Sequence, residues 1–352
     1  MEARKEGSKI MTEYPHHKSL HLENFTAFSQ ADFEFVPGVN VFVGENGTGK
    51  THVMKAMYAL ELSRAPSRDE FYKILLNTFQ LKEDNDGTRR FDLLRRQGIG
   101  EDEITTFHLQ HGKDILSFQI LSGLFQDAMR LIPNRPVFIP AIDMMGHSKG
   151  FTEAYDEILL DFDLTCRDIV NLLRLERREK QEPSEAFFAL KRLLKGDIEK
   201  DSEGRFYLVT PVGRLPMQLV GEGLRKVATL VQLQKNGWLV PGTTLFWDEP
   251  EVNLNPKWMD EVVAAILALS RSGVQVFLAT HSYVILKELE VQAQKSDSYR
   301  FFAFTKSEQG TTIKPADSYL ELSPNPIEDH YADLYDRGIE KRLQRGEPIH
   351  KS

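Results

Sequence analysis

The chain of 352 residues is long enough to bury a full hydrophobic core, and its length predicts two domains or one large domain with an insertion. Hydrophobic residues make up 41% of the sequence and charged residues 27%, which is typical of a globular protein and excludes an intrinsically disordered one. The formal net charge of −8 excludes a global basic field, so any binding of nucleic acid would need a local basic patch.

The single cysteine and the first residues of the chain indicate the compartment. Cys166 has no second cysteine to pair with, which excludes an internal disulfide framework and favours a reducing cytoplasm. Residues 1–17 are polar and lack the apolar centre of a signal peptide, so we expect a flexible N-terminal extension. No apolar run approaches the roughly 20 residues that span a bilayer. We therefore predict a cytoplasmic protein without a membrane partner.

The first motif is a glycine-rich loop between a predicted strand and a predicted helix. An apolar run at residues 39–43 is typical of a central parallel strand, and apolar residues recur at helical spacing from Val53 to Leu60. The loop between them reads GENGTGKT and fits G-x-x-x-x-G-K-[ST], the pattern of a phosphate-binding loop. An ordinary Gly/Asn turn before a surface lysine rarely matches every fixed position in this context. The predicted ATP-binding residues are Gly44, Glu45, Asn46, Gly47, Thr48, Gly49, Lys50 and Thr51.

Each chemical group in this loop has a predicted task. The glycines let backbone N–H groups turn towards phosphate oxygens, and the start of the helix adds the positive end of its dipole. Lys50 is expected to reach the β- and γ-phosphates, and the Thr51 hydroxyl is expected to bind Mg²⁺. The loop therefore predicts a bound nucleotide with Mg²⁺ as the cofactor, and the family resemblance described below implies that the nucleotide is ATP, the substrate.

Residues 61–204 separate this loop from the next motifs. Helical apolar spacing predominates there, apart from a predicted hairpin around Gly112 and a short strand in PVFIP, so we expect a mainly helical inserted lobe. Sustained heptads are absent, which argues against a long coiled-coil arm. Two basic groups could contact DNA, but we favour solvated helix faces because acidic residues are mixed through the second. The groups are Arg89, Arg90, Arg95 and Arg96, and Arg174, Arg177, Arg178, Lys191, Arg192 and Lys195.

The second motif, TTLFWDEPEVNLNP, places two acids at the end of a buried apolar strand. Asp248 ends the strand and is predicted to hold Mg²⁺, and Glu249 is placed to polarise the attacking water. An exposed acidic strand end is the simpler alternative, but a phosphate-binding loop needs such a carboxylate on a neighbouring strand.

A predicted helix then returns the chain to the strand in VQVFLATHS. This crossover delivers His281 to the same edge of a parallel sheet as Asp248, where a histidine can sense the γ-phosphate. A packing or surface histidine is the alternative. Beyond it, YRFFAFTKSEQGTTIKP predicts a hairpin that turns near Gly310, and residues 321–352 predict a C-terminal helix and tail. The ATPase core then comprises residues 18–60 and 205–320.

These pieces, in this order, resemble the ABC-type ATPases of the RecF, SMC and OLD-like branch. The resemblance rests on the start SLHLENFTAFSQADFEFVPGVNVFVGENGTGKT, on DEPEVNLNP and on ATHS. It implies an α/β fold, namely a P-loop NTPase with an ABC-type ATPase head, a mixed sheet with helices on both faces and a largely helical insertion. It also implies an ATPase that forms a homodimer or a higher oligomer, with each Mg-ATP held between two subunits.

The chain is similar in particular to stand-alone ATP-binding proteins of the AAA family of the AbiEii/OLD-like type, without a Toprim nuclease domain. This similarity implies work in phage defence, DNA repair or DNA maintenance beside a separate effector protein such as a nuclease. DNA as a partner follows only from this analogy.

The resemblance further implies a signature loop that contacts the nucleotide of the partner subunit. LVGEGLRKVATL is the best match, because Gly221, Glu222 and Gly223 precede a predicted helix whose N-terminus can meet phosphate. The transporter pattern has serine where this chain has Gly221, so a hydroxyl contact is missing. A glycine turn before an ordinary helix is the alternative.

Two alternative hypotheses stay open. An ATP-binding subunit of an ABC transporter is the first, and the missing signature serine, the large insertion and the RecF-like start argue against it. A non-hydrolysing, ATP-bound scaffold or toxin-system component is the second, and the intact Lys50, Asp248 and Glu249 argue against it.

Overall fold

The structure is a computed structural model that describes residues 14–62, 68–81, 94, 104–121, 124–128, 134–158, 160–177, 185–308 and 310–345. The strands are β1 His17–Phe25, β2 Phe28–Glu34, β3 Val39–Gly44, β4 Thr105–His111, β5 Asp114–Leu121, β6 Leu124–Ala128, β7 Val137–Ile139, β8 Asp197–Lys200, β9 Phe206–Thr210, β10 Gly213–Pro216, β11 Thr244–Asp248, β12 Gln275–Thr280, β13 Tyr299–Ser307 and β14 Gly310–Ala316. The α-helices are α1 Lys50–Leu62, α2 Arg68–Phe79, α3 Phe151–Ile158, α4 Leu164–Arg174, α5 Glu185–Leu194, α6 Glu222–Lys235, α7 Met259–Arg271, α8 Tyr283–Gln292 and α9 Pro326–Gln344.

A mixed sheet of six strands forms the centre of the fold, in the order β14-β13-β3-β12-β11-β7. The strands from β13 to β7 run parallel, and β14 pairs antiparallel with β13. Every residue of β3, β11 and β12 is buried, as expected of parallel strands that are covered on both faces. The predicted α/β fold with a mixed sheet and helices on both faces is confirmed.

Two hydrophobic clusters cover the two faces of this sheet. On one face, Val41 and Leu278 belong to a core that includes the buried sides of α4, α6 and α7. On the other face, the rings of Phe42, Phe246 and Phe277 pack with α1 and with the strands of a second sheet. Because side chains alternate along a strand, the continuous apolar runs of the sequence supply both cores.

The second sheet has five strands in the order β2-β1-β4-β5-β6, all paired antiparallel. The predicted hairpin around Gly112 is confirmed as β4 and β5, and it extends the N-terminal hairpin of β1 and β2. The predicted strand in PVFIP is confirmed as β7 at the edge of the central sheet. Residues 61–204 therefore supply β4 to β6 to the second sheet, β7 to the central sheet and β8 to a separate sheet of three strands, besides helices α2 to α5.

The C-terminal part of the chain follows the predicted order of elements. The hairpin near Gly310 is β13 and β14, and the final helix is α9, which is exposed from residue 329 onward except at the half-buried Ile339. Within the described ranges, no helix is both long enough and apolar enough to cross a membrane.

Several predictions concern residues that the structure does not describe. The expected N-terminal extension lies outside the described residues up to residue 13, whereas His17 already begins β1.

In the second basic group, Arg174 pairs with Glu153 and Lys191 pairs with Asp197. Outside the described residues lie Arg89, Arg90, Arg95, Arg96 and Arg178.

Candidate functional site

The predicted phosphate loop lies at the carboxyl edge of the central sheet, between β3 and α1. Gly49 has a φ of +93°, and a Cβ at this position would lie 2.8 Å from the Phe28 ring, so both the backbone and the space require glycine. Lys50 Nζ donates to the carbonyl oxygens of Gly44 at 2.7 Å and Glu45 at 2.8 Å. The loop thus curls around the first turn of α1, where unpaired backbone N–H groups favour an anion.

The strand end of β11 meets the first turn of α1 beneath this loop. Thr51 Oγ1 lies 3.1 Å and 3.0 Å from the two carboxylate oxygens of Asp248. Burial raises the pKa of Asp248 to about 6, and burial likewise lowers the pKa of the neighbouring Lys50 amine to about 8. A hydroxyl and a buried carboxylate are the hard oxygen ligands that Mg²⁺ prefers, so these residues fit the predicted ion.

Glu249 and His281 lie side by side at the same edge, one strand apart. Their side chains are about one-third exposed, and His281 Nε2 is 3.6 Å from Glu249 Oε1. Burial, and then the charge of Lys50, lowers the pKa of His281, so the imidazole is neutral at pH 7. This pair places a carboxylate and a neutral imidazole next to the phosphate loop.

A cleft of about 750 Å³ joins these groups. It is lined by most of the predicted site residues, namely Asn46, Gly47, Gly49, Lys50, Thr51, Asp248, Glu249 and His281. Thr48 is buried instead and donates to the Glu45 carbonyl at 2.8 Å, which closes the loop. Gly44 and Glu45 line an adjacent cavity of about 460 Å³, beside His281 and the first turn of α9.

The cleft also has walls that the sequence did not predict. Two turns line the cleft: the turn between β1 and β2 and the turn between β13 and β14. The two hairpins are joined because the backbone N–H of Thr311 donates to the Ala27 carbonyl at 2.8 Å. The sequence predicts the hairpin near Gly310, but it does not predict that this hairpin reaches the loop. The additional lining residues are Thr26, Ala27, His52, Ser307, Glu308 and Gly310.

The predicted signature residues lie apart from this cleft, at the start of α6. Gly221 is the exposed N-cap residue, and a Cβ on it would meet no described atom within 4 Å. Glu222 follows in the first turn. Gly223 is buried, and a Cβ there would lie 2.6 Å from the carbonyl oxygen of Asn253. Close packing on the loop after β11 therefore explains the second glycine, whereas Gly221 is exposed and Glu222 is half-buried.

Replacing Asp248 with Asn should stabilise the nucleotide-free protein at neutral pH. The folded carboxyl keeps its proton up to about pH 6, whereas an unfolded aspartate releases it near pH 4, so the folded state loses stability as pH rises between these values. At pH 7.5 the buried charge costs roughly 3 kcal/mol, which corresponds to a Tm higher by a few degrees in the variant. Thermal unfolding at pH 7.5 and at pH 5 measures the difference in Tm between the variant and the wild-type protein. This difference should be smaller at pH 5.

Asp260→Asn on the exposed face of α7 is the matched control, and its Tm should follow the wild-type Tm at both pH values. If the Tm of Asp248→Asn at pH 7.5 were at or below the wild-type Tm, this would contradict the assignment of a buried charge that destabilises the folded protein.

Comparisons with known proteins bear on the family of this chain. A family model described as "AAA domain" matches residues 19–203, which is more than half of the chain, and one described as "AAA domain, putative AbiEii toxin, Type IV TA system" matches residues 171–287. The DNA replication and repair protein RecF of Streptococcus uberis is 48% identical over 48 residues, 14% of this chain and 13% of that protein. RecF of Streptococcus suis is 45% identical over 64 residues, 18% of this chain and 17% of that protein.

The matched stretches thus span less than a fifth of these curated relatives. Among solved structures, the Smc head domain with an extended coiled coil bound to the C-terminal domain of ScpA, derived from Pyrococcus furiosus, aligns with a TM-score of 0.51 at 10% identity. The alignment covers 92% of this chain and 99% of that one, and it concerns the fold alone. Fold and phosphate loop together define the class of P-loop ATPases. The chain belongs to the AAA domain family.

Proposed function

We propose that this protein hydrolyses Mg-ATP and uses the reaction as a molecular switch. The observation that carries the proposal is the meeting of Lys50, the Thr51–Asp248 pair and the Glu249–His281 pair in one cleft at the carboxyl edge of the sheet. Positioning and electrostatic stabilisation account for most of the catalysis of phosphoryl transfer, and this edge concentrates groups suited to both.

Each of these residues has a proposed role. Lys50 binds the β- and γ-phosphates. Thr51 and Asp248 would hold Mg²⁺, whose positive charge would stabilise the negative charge on the transferred phosphoryl group. Glu249 accepts a proton from the attacking water, since its carboxylate is exposed to the cleft. His281, neutral at pH 7, donates or accepts a hydrogen bond at the γ-phosphate.

The switch would close when two subunits sandwich ATP head to tail. Gly221, Glu222 and Gly223 stand at a helix N-terminus outside their own cleft, with the first of them exposed, which suits contact with the nucleotide of a partner subunit. The expected assembly is a homodimer with two bound Mg-ATP, or a higher oligomer.

The biological setting that we propose is DNA maintenance or phage defence, together with a separately encoded effector such as a nuclease. Relatives named as DNA replication and repair proteins support the first setting, and a family description that names a putative toxin supports the second.

Phosphate release from ATP by the purified wild-type protein tests the proposed activity. We expect turnover with Mg²⁺ and its loss in EDTA, because Thr51 and Asp248 would then have no ion to hold. ATP binding without any release of phosphate would overturn the proposal and favour the non-hydrolysing scaffold.

A further inference from the structure

The turn after β11 that presents Glu249 has an unusual backbone. Glu249 has a φ of +47° and Asn253 a φ of +60°. Both values lie in the left-handed region, which residues other than glycine seldom adopt. Such conformations persist only where the surroundings hold them. The backbone N–H of Glu249 donates to the Ala279 carbonyl at 2.9 Å, which ties one side of the turn to β12.

A lysine from α6 holds the other side of the same turn. Lys226 is 2% exposed, and its Nζ donates to the carbonyl oxygen of Glu249 at 3.0 Å. Burial lowers the pKa of Lys226, while the carboxylates of Glu222, Glu251 and Glu249 favour its charged form. A buried ammonium is costly, so one that reaches the backbone of Glu249 indicates more than the filling of space.

Glu251 connects the turn to the loop that carries His281. Its Oε1 accepts a hydrogen bond from the backbone N–H of His281 at 2.6 Å. Its Oε2 is buried without a hydrogen-bond partner among the described residues, and burial raises the pKa of this carboxyl. The backbone N–H of Leu254 donates to the Glu251 carbonyl at 3.0 Å, so the residue is also fixed within the turn.

A second contact joins α6 to the same turn. Gly223 lies so close to Asn253 that a Cβ would come within 2.6 Å of the Asn253 carbonyl oxygen. The helix whose exposed N-terminus carries Gly221 and Glu222 thus touches the turn both in its first residues and at Lys226. A shift of that helix would move the Glu249 backbone.

We propose that Lys226 and Glu251 are positioning residues for hydrolysis. Lys226, on α6, holds the backbone of Glu249 through its hydrogen bond to the Glu249 carbonyl. Glu251 holds the backbone of His281 relative to the same turn by accepting a hydrogen bond from the His281 N–H. The inference rests on the proposed ATPase function. It makes α6 part of the hydrolytic site of its own subunit, so that contact at its N-terminus reaches Glu249 through one hydrogen bond. Lys226 does not line the nucleotide cleft, so it should contribute little to ATP affinity.

The test compares Lys226→Met with the wild-type protein in ATP turnover and in equilibrium binding of a fluorescent ATP analogue. Loss of a charge-assisted hydrogen bond to the Glu249 carbonyl should lower kcat about tenfold to a hundredfold, with the Kd of the analogue within about twofold of wild type. Lys226→Arg keeps a cationic donor and should recover part of the lost kcat.

Lys235→Met is the matched control. Lys235 lies on the same helix and also donates to a carbonyl, that of Ile198 at 2.9 Å, but far along α6 from the turn. We expect its kcat and Kd to equal those of the wild-type protein. Glu251→Gln keeps an acceptor for the His281 N–H and should lower kcat less than Glu251→Ala does.

Three results would overturn the inference. The first is wild-type kcat in Lys226→Met, and the second is a parallel loss of kcat and analogue binding in Lys226→Met and Lys226→Arg with a lower Tm, as expected of a purely structural lysine. The third is equal damage from Lys235→Met. A wild-type protein without any turnover would instead overturn the proposed function, together with the inference that rests on it.

Discussion

Glu249→Gln is expected to hydrolyse ATP about 10²-fold to 10⁴-fold more slowly than the wild-type protein while it still binds ATP. The carboxylate faces the cleft beside His281, and its strained backbone is held from both sides. Glutamine has the same shape but cannot accept the proton of the attacking water. The measurement is phosphate release under saturating Mg-ATP, paired with equilibrium binding of a fluorescent ATP analogue.

Glu261→Gln makes the same chemical change on the exposed side of α7 and should leave turnover unchanged. Turnover of Glu249→Gln within a few-fold of the wild-type rate would show that another group activates the water. That result would remove Glu249 from the catalytic role and leave it as a residue of the turn.

Lys50→Met is expected to weaken ATP binding by roughly tenfold to a hundredfold, because charge-assisted hydrogen bonds to phosphate are lost. Lys50 is 5% exposed, and its amine donates hydrogen bonds to the Gly44 and Glu45 carbonyls of the loop. Its pKa of about 8 adds a second expectation. In the wild-type protein, ATP affinity should fall as pH rises above 8, where the free amine loses its charge.

Equilibrium titration between pH 7 and 9 measures both effects. Lys113→Met, in the exposed turn between β4 and β5, is the control and should bind ATP as the wild-type protein does. An unchanged affinity in Lys50→Met, or a pH dependence that survives in this variant, would sink the assignment of Lys50 as the phosphate ligand.

Much of the site could be predicted because its signals are local. The phosphate loop, the acids at the end of β11 and the histidine after β12 each follow a short, continuous apolar run. Such runs indicate parallel strands buried on both faces, whose carboxyl ends share one edge of a sheet. The register confirms this geometry, since Asp248 pairs with Ala279 and Ala279 pairs with Phe42.

The missing parts depend on contacts between distant segments. Periodicity predicts the hairpin around Gly112, but it does not say that β4 pairs with β1, which completes the second sheet. Nor does it bring Ala27 and Thr311 together at the cleft. Lys226 looks in the sequence like any lysine of an amphipathic helix, and only the tertiary packing buries it against Glu249. Local patterns carry no information about such pairs.

The molecular mass of Glu249→Gln in solution, with and without Mg-ATP, tests the central claim most directly. This variant should retain ATP and therefore accumulate the sandwiched state. The account predicts a monomer without nucleotide and at least a dimer with Mg-ATP, in which Gly221 and Glu222 of one subunit meet the nucleotide of the other. A protein that binds Mg-ATP and stays monomeric would contradict the head-to-tail switch.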